Sequence, residues 1–167
     1  VIAPRRALRG RPVVDTDYLV NTVYVDLVPM DFAAILGNSI TFHPIATDAE
    51  SGLAVDLAPL IHDEATLRLG LRASTGIPLL AGPPVHLAGR RYLDGGLAEM
   101  VPVRTALAQG ATHAVVLRTR RPGEDLRPPG NMQFHIIRRY LKRHAAGAIP
   151  AWRNRYAVAQ DEEKLLA

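Results

Sequence analysis

The residues of this chain whose types and spacing could do chemistry gather at Asp94-Gly95-Gly96. A carboxylate at the end of a strand, followed by two residues without side chains, is uncrowded and can reach a partner on another segment. That placement suits a general base beside a hydroxyl nucleophile. Gly95 and Gly96 also allow a tight turn of positive φ. By itself the tripeptide reads better as a structural turn, because Asp-Gly is a common turn dipeptide. A matching nucleophile is missing: no Gly-x-Ser-x-Gly occurs in the 167 residues. The nearest run, Gly37-Asn38-Ser39-Ile40-Thr41, lacks the second glycine and precedes a predicted strand, whereas an elbow serine stands between a strand and a helix. Ser39 therefore reads as a turn serine, and Ser74, at a helix end, as capping or packing.

Other chemistries find little support. His43, His62, His86, His113, His135 and His144 show no pairing at helical ligand spacing, so neither a metal nor any other cofactor is expected. Asp15-Thr16-Asp17 ahead of Tyr18-Leu19 reads as a helix cap, not a metal-nucleotide motif. There are no cysteines, which removes disulfides and thiolate chemistry. The net charge of +4 is spread along the chain and aromatics make up 5% of it, with no recognisable recognition motif; nucleic acid is not an expected partner.

The elements that must hold Asp94 can be read from periodicity and turn chemistry. Residues 1–12, rich in Arg, Gly and Pro, read as an exposed basic loop. Two short helical pieces follow, from Asp17 and from Asp31-Phe32 to Leu36, broken at Pro29 and stopped at Gly37-Asn38. A strand through Ile40-Thr41-Phe42 and Ile45-Ala46-Thr47 turns at Glu50-Ser51-Gly52 into Leu53-Ala54-Val55. Asp63 to Ser74 is a largely apolar helix with acidic residues at its positive end. Val85-His86-Leu87 and Arg91-Tyr92-Leu93 form a hairpin about Ala88-Gly89-Arg90. Pro102 opens a helix that Gly110 closes. His113 to Thr119, with Ala114-Val115-Val116-Leu117, reads as a strand buried on both faces. A Pro/Gly-rich loop from Arg121 to Gly130 and helices over Gln133–His144 and Pro150–Leu166 complete the chain. Alternating strands and helices predict an α/β fold, layered helix/sheet/helix, with a mainly parallel sheet.

The ordered series from Leu71 to Pro102 is more specific than any motif within it. A helix ending Ala73-Ser74, Ile77-Pro78, a Pro-Pro loop, Gly-Arg-Arg-Tyr, Asp94-Gly95-Gly96 and Val101-Pro102-Val103 together resemble the patatin-like phospholipase family. The likeness runs upstream to Ala46-Thr47-Asp48 and Leu19-Val20, and downstream through Gly110-Ala111 to Val115-Val116. It implies a patatin-like fold incomplete at its N-terminus, an expectation that Val1 in place of Met also suits. The implied domains are the loop 1–12, the C-terminal part of a hydrolase domain over 13–121, and a loop with C-terminal helices over 122–167. It further implies that Asp94 is the aspartate of a Ser-Asp dyad, that Gly95 and Gly96 support it, and that the substrate is a lipid or other ester. The serine and the oxyanion loop would lie upstream, leaving this chain inactive alone. The alternative is an inactive patatin-like module that binds or regulates.

One more partner is suggested by the residues themselves. On the helix from Gln133 to His144, Phe134, Ile137, Tyr140 and Leu141 share a face, and Arg138, Arg139, Lys142 and Arg143 lie largely elsewhere. Either this is a surface helix with a solvated basic side, or it touches an anionic membrane surface peripherally. No run of residues is long and apolar enough to span a bilayer. The expected place is the cytoplasm, at most peripheral to a membrane.

Overall fold

The computed structural model describes residues 2–117 and 130–166. The predicted loop Arg121–Gly130 and the end of the predicted strand at Thr119 therefore lie almost wholly outside the described residues. Four strands form the sheet: β1 (Ile45–Asp48), β2 (Ala54–Asp56), β3 (Val85–Leu87) and β4 (Arg90–Asp94). Their order is β2-β1-β4-β3, and all three pairings are antiparallel.

This corrects the expected mainly parallel sheet. Two of the three pairings are hairpins whose connections are far too short for a parallel crossover, which takes a dozen or more residues. Ala88 and Gly89, at φ 48° and 76°, both occupy the left-handed region that a two-residue primed turn demands. The long connection, through α3 (Glu64–Ser74), leads from one edge of the sheet to the other and creates no neighbouring pair. The predicted strand at Ala114–Leu117 is not formed either. Val115 and Leu117 are each 94% exposed, because among the described residues no strand pairs with this apolar run. Ile40–Phe42 likewise stays outside β1 and is exposed.

The local helical signals translate directly. α1 (Thr16–Tyr18) is capped by Asp15, continues as a π-helical stretch over Leu19–Leu27, and is followed by α2 (Phe32–Leu36), capped by Asp31 and closed at Gly37. α3 opens on a capping box in which Asp63 accepts from the Thr66 amide and Thr66 accepts from the Asp63 amide. α4 (Val103–Ala108) follows Pro102; α5 (Asn131–His144) and α6 (Ile149–Leu165) form the C-terminal pair. Near the N-terminus Pro4–Arg9 winds as a 3-10 helix where an irregular loop was expected.

Successive residues of a strand face opposite sides, and β4 uses this to build two cores. Tyr92 joins Ala46, Leu57, Ala73 and Val85 on the side covered by α3. Leu93 joins Leu97, Leu141, Ala148 and Trp152 on the side covered by α5 and α6. Helices thus lie on both faces of the sheet, and Asp94 ends the strand shared by both cores.

Asp48, wholly buried at the end of β1, holds the β1–β2 turn. It accepts from the amides of Glu50 and Ser51 and from the Ser51 hydroxyl, and it pairs with Arg90 at 3.1 Å. Burial alone would raise its carboxyl; the Ser51 and Glu50 hydrogen bonds and Arg90 outweigh it and hold the group below the usual carboxylate range.

Candidate active site

Asp94 is fixed by its backbone before its side chain is considered. Its amide donates to the Gly76 carbonyl at 3.1 Å, which ties β4 to the end of α3. Thr47, fully buried on β1, donates its hydroxyl to the Asp94 carbonyl at 2.8 Å and accepts the Ala98 amide at 3.2 Å. One hydroxyl thereby clamps both ends of the Asp94–Ala98 turn. Sequence reasoning did not single out Thr47. Its only signal was its place in Ala46-Thr47-Asp48.

The two glycines serve close approach. Neither has a positive φ, so the expected left-handed turn is not what requires them. A β-carbon on Gly95 would stand 2.4 Å from the Ile45 carbonyl oxygen, inside the neighbouring strand's backbone. One on Gly96 would stand 2.9 Å from the Asp94 carboxylate, so the second glycine keeps that group uncrowded, as its residue type implied.

The Asp94 carboxylate is half-buried. Its Oδ1 accepts the Gly96 amide at 2.7 Å, and among the described residues no hydrogen bond occupies Oδ2. Burial raises its proton affinity above the ordinary aspartate value, opposed by the Gly96 hydrogen bond. The carboxylate lines a cavity of about 530 Å³ whose walls are mainly apolar: Ile77, Leu80 and Leu97 from the sheet side, Ile136, Ile137 and Trp152 from α5 and α6. A second, smaller cavity of about 330 Å³ meets Asp94 from the side of Ser74 and Glu99. Such a carboxylate, pinned by one oxygen and open at the other beside an apolar chamber, can take a proton from a hydroxyl brought to it.

Among the described residues neither candidate serine hydrogen-bonds to Asp94. Ser74 donates to the Ile45 carbonyl at 2.7 Å and so fastens α3 to β1; Ser39 is exposed between α2 and β1. His43, on the smaller cavity, directs Nδ1 to Asp56 at 2.7 Å.

The wall supplied by α5 and α6 escaped sequence reasoning altogether. It is anchored near the site by Glu162 of α6, a buried side chain that accepts the Val101 amide at 3.1 Å just beyond the Asp94 turn. Burial raises the Glu162 carboxyl above its usual value. Tyr140 of α5 donates to the Gly82 carbonyl, and Arg91 of β4 donates to the His144 carbonyl at 3.1 Å.

Comparison with known proteins bears on this arrangement. Residues 2–107 match the model of the family described as patatin-like phospholipase. Over 120 residues the chain is 35% identical to the uncharacterized protein YjjU of Escherichia coli strain K12, an alignment covering 70% of this chain and 32% of that protein. The chain thus spans about a third of that relative's length. No solved structure matches the chain.

Proposed function

The chain belongs to the patatin-like phospholipase family, and on that premise we propose that it supplies the general base, Asp94, of a serine acyl hydrolase acting on lipid or other carboxylic esters. The observation that carries this reading is the Asp94 carboxylate itself, with one oxygen fixed by the Gly96 amide, no hydrogen bond on the other among the described residues, and the residue on the wall of a 530 Å³ apolar cavity. In the proposed reaction a serine from outside these 167 residues presents its hydroxyl to Asp94. The hydroxyl oxygen attacks the ester carbonyl as Asp94 takes the proton. Collapse of the tetrahedral intermediate releases the alcohol, which recovers that proton, and leaves an acyl-serine. Water, again giving its proton to Asp94, then hydrolyses the acyl-serine and regenerates both groups. An oxyanion loop, also from outside this stretch, contributes typically ~3–4 kcal/mol per donor.

A second reading has its own observation in favour. A base without a nucleophile performs no catalysis, and the 167 residues hold no Gly-x-Ser-x-Gly. A patatin-like module that binds or regulates without hydrolysing would have the same composition. The two readings separate on p-nitrophenyl butyrate. The hydrolase reading expects background rates from this chain alone and turnover from the parent protein. It further expects Asp94→Asn in that parent to lower kcat by ~10²–10⁴-fold, because asparagine keeps the shape but takes no proton. An active parent unaffected by Asp94→Asn would make Asp94 a turn residue; an inactive parent would favour the binding module.

A further inference from the structure

Among the described residues one cation lines the apolar cavity beside Asp94, and no carboxylate pairs with it. Arg155 of α6 lines the cavity half-buried. Its guanidinium lies 4.3 Å from the Tyr156 ring centre and 5.0 Å from that of Trp152. One terminal nitrogen donates to the Trp152 carbonyl at 2.7 Å and the other to the Tyr156 hydroxyl at 2.9 Å. Two of its five N–H donors are therefore spent on holding the group in place, and three remain. Among the described residues no acidic side chain pairs with it. The charge is thus held in a fixed orientation with spare donors, and its place is the wall of a chamber otherwise fit for hydrocarbon. A planar guanidinium of this kind matches the geometry of a phosphate better than any other side chain does.

Resting on the reading of this cavity as an ester site, we propose that Arg155 binds the phosphate of a phosphate-bearing lipid whose acyl chain lies in the apolar cavity. The selectivity for an anionic lipid then resides in α6, outside the stretch 2–107 that matches the family model.

The test needs no turnover. Trp152 is the one tryptophan of the chain and lines the cavity, so its emission reports occupancy directly. The probes are n-dodecyl phosphate, the neutral hexaethylene glycol monododecyl ether of equal chain length, and inorganic phosphate, all below micellar concentrations. Both dodecyl compounds are expected to shift Trp152 emission saturably, with the phosphate bound about tenfold to a hundredfold more tightly, as charge-assisted hydrogen bonds allow. Arg155→Gln removes that preference and leaves the neutral ether's affinity unchanged, which also shows the cavity intact. Should that variant fail to fold, the native chain decides by salt: the preference must shrink as ionic strength rises while ether binding holds. Equal affinity for the two dodecyl compounds overturns the proposal. So does a preference that survives Arg155→Gln or high salt, or inorganic phosphate competing as well as n-dodecyl phosphate. The outcome is independent of the hydrolase reading: a phosphate preference with an inactive parent sinks only the latter, and turnover without the preference sinks only this one.

Discussion

At the scale of the residue, Asp94 is a group whose surroundings work against its own charge. Burial raises its carboxyl above the ordinary value and only the Gly96 amide opposes this. The unfolded chain releases this proton near the usual aspartate value of about 3.9, and the folded chain releases it at a higher pH. Between the two the folded state binds more protons, so stability falls as pH rises through that window and the deficit persists to neutrality. An asparagine at 94 has no proton to lose and still accepts from Gly96. Asp94→Asn is therefore expected to melt at or above the native temperature at pH 7, with the difference vanishing below about pH 4. Thermal melts of both proteins across that range measure it; a variant clearly less stable at pH 7 would mean that the ionised carboxylate holds the turn together. A stabilising loss of charge paired with lost activity in the parent is the pattern of a group kept for function. That Asp94 ends a strand and enters a tight glycine turn was legible in the sequence, from turn chemistry. The true reason for Gly95 was not, because it lies in the carbonyl of Ile45, fifty positions earlier.

At the scale of the element, the decisive contact is the seat of the C-terminal helices against the β1–β2 turn. The short 3-10 helix Ala146–Ala148 between α5 and α6 brings Gly147 against Glu50, so that a β-carbon there would collide with the Glu50 carbonyl. Gly52, at φ 73°, meets the Gly147 carbonyl in the same way. Gly147→Ala forces the helices off the turn. It is expected to cost about 1–3 kcal/mol, each kcal/mol lowering the melting temperature by roughly 2–4 °C in a chain of this size. Trp152 emission should move to the red as the seat opens. Unchanged melting and emission would show that the seat gives way without cost. Helices and hairpins were readable because caps and turn residues act within a few positions, as at Asp63 and Ala88-Gly89. Sheet direction and the cavity wall were not. Strand pairing joins β1 to β4 across some forty residues, and Trp152 meets Leu97 across more than fifty, distances at which local pattern carries no information.

At the scale of the whole molecule, the open matter is how a +4 chain meets an anionic surface. On α5 the residues that looked like membrane anchors are committed elsewhere: Leu141 is fully buried, and Phe134 and Ile137 pack on the core about Trp152. Arg138, Arg139, Lys142 and Arg143 remain exposed. Any contact they make with lipid headgroups is then electrostatic alone, at ~1 kcal/mol per basic residue near the surface. Screening shortens that attraction to ~10 Å at 0.1 M salt and ~3 Å at 1 M. Co-sedimentation with phosphatidylserine vesicles should therefore be weak at low salt and disappear at high salt with no residue. Replacing the four basic residues by Glu should abolish it while leaving the circular dichroism unchanged, since none of the four is buried. The discriminating outcome is binding that persists in high salt and in the four-Glu variant. Met132 and Ile136, 79% and 45% exposed on the same helix and bordering the cavity, would then be the groups entering the bilayer. The contact would be hydrophobic and placed at the mouth of the cavity, with Arg139 and Arg143 on the same helix face beside it.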